Sequence, residues 1–135
     1  MSAETLALQR AVVAALTADA SLAAMLSGVF DGPPARAALP WAGVDCGMES
    51  DWSHKTGRGR EIRLAISLWT DGRAANELHQ LMVQAEAALA QVALGDATMQ
   101  LVGLVFQRSR VMRAAGEPWL GLLEYRARIL TNEGA

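Results

Sequence analysis

The chain has 135 residues, 52% of them hydrophobic, and a formal net charge of −2. That length fits one domain, residues 1–135, with a real core, and the charge excludes the basic field of a dedicated nucleic-acid binder. Cys46 is the only cysteine, which excludes an intrachain disulfide and points to a reducing compartment.

Ser2 is a candidate N-cap and Glu4 suits the positive end of a helix. A first helix is predicted to run to about Leu16, with Leu6, Val13 and Leu16 as its apolar stripe, widened by Leu8 and Val12. Glu4 and Arg10 interrupt this run and no basic segment precedes it, so it reads as helix and not as a secretion signal. No stretch approaches the ~20 apolar residues of a membrane span, so a soluble, intracellular protein is expected. Asp19 opens a second short helix, Ala20 to Leu26, ended by Gly28. Val29-Phe30-Asp31 is a short extended piece. Gly32-Pro33-Pro34 and Pro40 frame a connector, since proline removes donors and cannot lie inside a sheet.

Residues 41–49 alternate loosely and predict a strand. Residues 50–59, SDWSHKTGRG, are polar and glycine-rich and predict an exposed, mobile loop or arm. From Arg60 the pattern sharpens. Ile62, Leu64, Ile66 and Leu68 fall on one face of a strand, and Glu61, Arg63, Ala65, Ser67 and Trp69 on the other. At Thr70-Asp71-Gly72 the period changes from two to about 3.6. Leu78, Leu81, Met82, Ala85, Leu89 and Val92 then form one helical stripe. Gly95-Asp96 reads as a C-cap and turn. Met99–Val111 is strand-like and apolar on both faces, which calls for a helix on one side and a partner on the other. Ala114-Ala115-Gly116 makes a turn, Glu117–Leu130 is the last strand, and residues 131–135 form a frayed tail. The expected fold is α+β: a mostly antiparallel four-stranded sheet with helices on one face, in the order α-α-β-β-α-β-β.

Few residues invite chemistry. Cys46 and His54 lack the carboxylate and oxyanion donors that a nucleophile and base require. Asp45, Glu49, Asp51, His54 and His79 fit no metal-ligand spacing. Gly57-Arg58-Gly59-Arg60 precedes a strand, whereas phosphate loops precede a helix. No enzyme, cofactor or metal is therefore expected. Association is the better theme. Arg108 and Arg110 share one strand face and Arg126 and Arg128 another; each pair reads equally as cross-strand ion pairing with Glu117 or Glu124 or as a face turned to a partner or pore. Trp119 suits the core. Trp52, in a polar loop, and Trp69, on a polar strand face, are harder to bury and match the enrichment of tryptophan in interfaces. The candidate interface is Trp52, His54, Lys55, Arg58, Arg60, Trp69, Arg108, Arg110, Arg126 and Arg128.

The order of these marks resembles the tail completion, or tail terminator, proteins of long-tailed phages and gene transfer agents. A helical start precedes Val29-Phe30-Asp31 and a proline-framed run ending at Leu39-Pro40-Trp41. A charged glycine loop leads to Ser67-Leu68-Trp69, and a helix follows with Asn76-Glu77 and Ala88-Leu89. The final hairpin carries Glu117-Pro118-Trp119 and Glu124-Tyr125-Arg126-Ala127-Arg128. The likeness spans nearly the whole chain, with Trp41 where the family usually has tyrosine. It implies a structural protein of a phage-like tail, assembled in the bacterial cytoplasm: a homo-oligomeric, typically hexameric ring on the last tail-tube ring. Such a ring docks the head connector or stopper, and DNA passes its lumen without specific binding; no cofactor and no membrane are involved. The alternative from a different class is a non-enzymatic α+β binding module or adaptor.

Overall fold

The computed structural model describes residues 1–32, 34, 36–71, 75–113 and 115–132. In chain order these form α1 (Ala3–Ala18), α2 (Ala20–Met25), β1 (Val29–Asp31), β2 (Trp41–Asp51), β3 (Arg58–Thr70), α3 (Ala75–Leu89), β4 (Met99–Met112) and β5 (Trp119–Thr131). The sheet has five strands, not the expected four, in the spatial order β1-β2-β3-β5-β4. The chain order is therefore α-α-β-β-β-α-β-β. The added strand is Val29–Asp31, which lies parallel to β2; three residues carry no legible period, so only their pairing makes them a strand. The β2–β3 and β4–β5 hairpins are antiparallel and join through β3 and β5.

The helices cover one face of the sheet. Beneath them Ile62, Leu64, Ile66 and Leu68 of β3 meet Leu123, Ala127 and Ile129 of β5, and Leu78, Leu81, Ala85, Ala88 and Leu89 press down from α3. The strand alternation and most of the α3 stripe are as the sequence predicts. Helix α3 stops at Leu89, however, so Val92 packs on the core from beyond it. The close of α3 uses Gln91 and Val92 amides on Ala88 and Leu89 carbonyls, and the Gly95-Asp96 segment instead makes a turn in which Asp96 accepts from Thr98 N–H at 2.8 Å.

Helix α1 is rotated from the expected stripe. Leu8, Val12 and Leu16 are its fully buried residues, while Leu6 is exposed and Val13 half-buried. Polar tethers explain the rotation. Thr131 Oγ1 donates to Glu4 at 2.9 Å, Gln9 Nε2 donates to the Val44 carbonyl at 2.7 Å, and Thr5 Oγ1 donates to Glu49. Buried polar groups must be bonded, so these partners fix which side of the helix turns inward. Helix α2 ends at Met25, one residue before the expected Leu26; Leu26 caps it through its amide on the Leu22 carbonyl, and Gly28 is not the cap.

Strand β4 departs furthest from expectation. It is an edge strand whose helix-side cover is thin: Met99, Leu101, Leu104 and Val111 reach the core, but Phe106 on that side is exposed, as are Val102 at an irregularity and Val105 on the opposite face. The arm is also shorter than residues 50–59, because β2 runs to Asp51 and β3 starts at Arg58. Thr131, placed in the frayed tail by sequence, closes β5 with a buried side chain, and Asn132 N–H bonds the Thr98 carbonyl. The remaining tail residues 133–135, Pro33 of the connector, Gly72 of the strand-to-helix change and Ala114 of the last turn lie outside the described residues.

Candidate functional site

The helix-free face of the sheet gathers most of the candidate residues. Register sets its rows. Trp41, Trp69, Leu120 and Met112 stand side by side at one end. Next come Gly43, Ser67, Leu122 and Arg110, then Asp45, Ala65, Glu124 and Arg108, then Met48, Arg63, Arg126 and Val105, and after them Ser50, Glu61, Arg128 and Gly103. One end is thus aromatic and apolar, and the rest is a lattice of charge.

At the aromatic end the Trp41 and Trp69 rings stack with centroids 5.4 Å apart and 19° between planes, and Phe30 meets Trp41 edge-on at 6.0 Å. Offset stacking of this kind stabilises beyond area burial. It half-buries Trp69 inside the monomer, which sequence alone did not anticipate. The buried Trp69 indole N–H finds no acceptor among the described residues.

In the charged region cross-strand pairing with the expected Glu124 is seen for Arg108 alone; Arg126 and Arg128 meet Glu61 of the neighbouring strand instead of Glu117 or Glu124. Arg108 Nε bonds Glu124. Arg128 Nε bonds Glu61 at 3.0 Å, and Arg126 Nε lies 3.9 Å from the same carboxylate. The Arg108 hydrogen bond holds the Glu124 carboxyl below its ordinary range, aided by the charges of Arg110 and Arg63. Arg110 is exposed at the edge. Irregularities in β2 and β4 flank this region, between Asp45 and Met48 and between Phe106 and Arg108. They frame a groove of about 610 Å³ lined by Asp45, Met48, Arg63, Gln107, Arg108 and Glu124. Glu61, Arg63, Asp45 and Trp41 were not among the candidate interface residues. The alternation of β3 already placed Glu61 and Arg63 beside Trp69, but the β2 neighbours needed the register.

The arm continues the β2–β3 hairpin. Trp52 N–H bonds the Gly59 carbonyl at 2.8 Å and His54 and Gly57 close a bridge at the tip. Trp52 folds back so that the Arg128 guanidinium sits 5.0 Å over its ring, a cation–π contact, and His54 meets the same ring edge-on at 4.6 Å. His54 and exposed Lys55 thus lie at the tip. Arg58 pairs in register with Thr131, and Arg60 with Asp51 and Ile129, so these two alternate onto the helix side and not onto the open face.

Among the described residues of this face no reactive centre is assembled. Burial, followed by the charges of Asp45, Asp31 and Glu49, pushes the Cys46 thiol up to about 12, the opposite of an activated nucleophile. No cluster of three or more metal-ligating side chains occurs among the described residues, and none of their helices is long and apolar enough to cross a membrane.

Comparison with known proteins bears on these surfaces. The profile of a family described as "Tail completion protein gp17" matches residues 10–130. No curated protein matches the chain significantly. Among solved structures, a chain in the virion of a native gene transfer agent particle is 31% identical, covers 96% of this chain and 99% of its own length, and superposes with a TM-score of 0.82. The gp17 protein of bacteriophage SPP1 is 19% identical over 98% of this chain and 96% of its own, with a TM-score of 0.65, a likeness of fold. With a family match across nearly its whole length, the chain belongs to the phage tail completion proteins, structural components and not enzymes.

Proposed function

We propose that the protein forms a ring, a hexamer, that terminates the tail tube of a phage or gene transfer agent and joins it to the head connector or stopper. The observation that carries this reading is β4: a 14-residue edge strand that leaves Val102, Val105 and Phe106 exposed. A chain that exposes apolar side chains along an open strand calls for assembly partners. The open sheet face and the arm from Trp52 to Gly57 supply further contact surface; there His54, Lys55 and Arg110 meet neighbours while Trp52, Trp69, Arg108, Arg126 and Arg128 shape the face. The neighbours are other copies of this chain, the tail-tube protein and the connector.

DNA in the lumen is passed and not held. Each phosphate neutralised by a cation adds affinity, and Arg108, Arg126 and Arg128 are already engaged by Glu124 and Glu61. Mixing the purified protein with its tail-tube protein and imaging the products tests the reading. Tubes of limited length with a distinct terminal ring are expected; tubes that grow without limit and bear no ring would end it.

A further inference from the structure

The sheet has two open edges, and they complement each other. On one side β4 has no neighbour along its outer edge among the described residues. On the other, β1 covers only Ala42–Val44 of β2, so from Asp45 to Asp51 no strand lies outside β2 among the described residues. Open edges present unpaired backbone groups to any second strand.

Charge and direction both match. The outer stretch of β2 carries Asp45, Glu49 and Asp51 and no cation, while β4 carries Arg108 and Arg110 and no anion. Strand β2 is antiparallel to β3, β3 to β5, and β5 to β4, so β4 runs opposite to β2. A copy related by rotation about a ring axis keeps its strand directions relative to that axis. Its β2 therefore arrives antiparallel to the first copy's β4, and the alternation continues with no subunit inverted. A pairing of one edge with a different edge is the heterologous contact that a ring requires.

We infer that β2 of one copy, from Asp45 to Asp51, adds to the outer edge of β4 of the next, so that one sheet runs from copy to copy. The inference rests on the ring reading above and names its junction. Because β1 occupies the outer side of β2 up to Val44, the neighbour's strand engages only the stretch beyond it. Glu49 is held by Ser2 and Thr5, and Arg108 by Glu124. Asp45 and Arg110 are exposed on the same sheet face and have no ion pair among the described residues, so they meet across the junction as an opposite-charge cross-strand pair. The occupant is a second copy because one identical chain satisfies both edges at once.

Charge reversal tests this. Asp45→Arg alone, or Arg110→Asp alone, puts like charges at every junction and should lower ring occupancy on tail tubes about tenfold or more. In an equal mixture the two variants complement each other at every junction, so rings alternate between them, and native mass spectrometry should find equal numbers of each. A second measurement keeps the answer independent of variant yield: Asp45→Cys with Arg110→Cys, in a Cys46→Ala chain, should give a covalent ladder after oxidation of assembled rings. The two positions lie on opposite edges of the sheet, so the ladder arises only between copies. Variants that assemble like the parent, an equal mixture that does not recover, or assembled rings that give no ladder would overturn the junction while leaving the ring intact. Absence of any terminal ring from the parent chain would instead overturn the ring reading, and the junction with it. Binding of an unrelated extended peptide at β4 in place of a copy would also overturn it.

Discussion

Glu49 is where the start of α1 is tied to the sheet. Ser2 Oγ donates to it at 2.7 Å, Thr5 Oγ1 donates to it, and Ser2 Oγ also caps the helix by accepting from Thr5 N–H. These hydrogen bonds, that from Ser2 foremost, hold the Glu49 carboxyl below its ordinary value of 4.5. A carboxylate with a lowered folded value stabilises above its unfolded value and loses that contribution as pH falls through the folded one. Glu49→Gln should therefore lower the melting temperature at pH 7, and the gap from the parent should close as the pH drops below 4.5; a gap unchanged down to pH 3 would contradict this. Gly59 is constrained differently. A Cβ there would stand 2.2 Å from the Trp52 carbonyl oxygen, a backbone atom at the base of the arm. Gly59→Ala should cost about 1–3 kcal/mol, as overpacking does, and amide exchange should show Trp52 N–H losing its protection.

Helix α3 holds the sheet from one side only, and its close approach is visible at Gly121 of β5. A Cβ at that position would lie 2.7 Å from Met82 Sδ and 2.9 Å from a Leu78 methyl. Leu81 is fully buried in the same contact layer and Gln80 is exposed one position away. Leu81→Ala should cost ~2–5 kcal/mol through lost transfer energy and a cavity, and Gln80→Ala within about 0.5 kcal/mol. Denaturant unfolding of both variants checks this; equal losses would mean a different inner face. The stripe was legible because a helix repeats its inward positions at three and four residues whatever it packs on. The α1 stripe was not, because Glu4, Thr5 and Gln9 are turned inward by partners on distant strands.

At the scale of the whole molecule, the exposed arm tip and the outer edge of β4 are the surfaces left for contacts outside the monomer. The arm tip is held by two exposed backbone bonds between His54 and Gly57, so its amides should exchange quickly in the free protein and slowly in tail particles. Replacing residues 53–58 with a two-residue Asn-Gly turn should leave the melting temperature nearly unchanged and reduce assembly onto tubes. Strong protection of the tip in the free monomer would contradict the first expectation, and full assembly by the shortened chain the second.

Local periodicity carried the helices, both hairpins and the one-sided core into plain view, because a strand or helix prints its own repeat on the sequence. The spaced marks from Val29-Phe30-Asp31 to Glu124–Arg128 carried the family. Position across the sheet was decided only in three dimensions. Nothing local tells three residues, Val29–Asp31, that they will lie parallel to β2, or tells an apolar strand that it will be last in the order and only thinly covered. Register likewise placed Trp41 on Trp69 and Glu61 between Arg126 and Arg128. Such pairings join residues far apart in the chain, and their energy depends on which strands become neighbours, a property of the whole fold and not of any one segment.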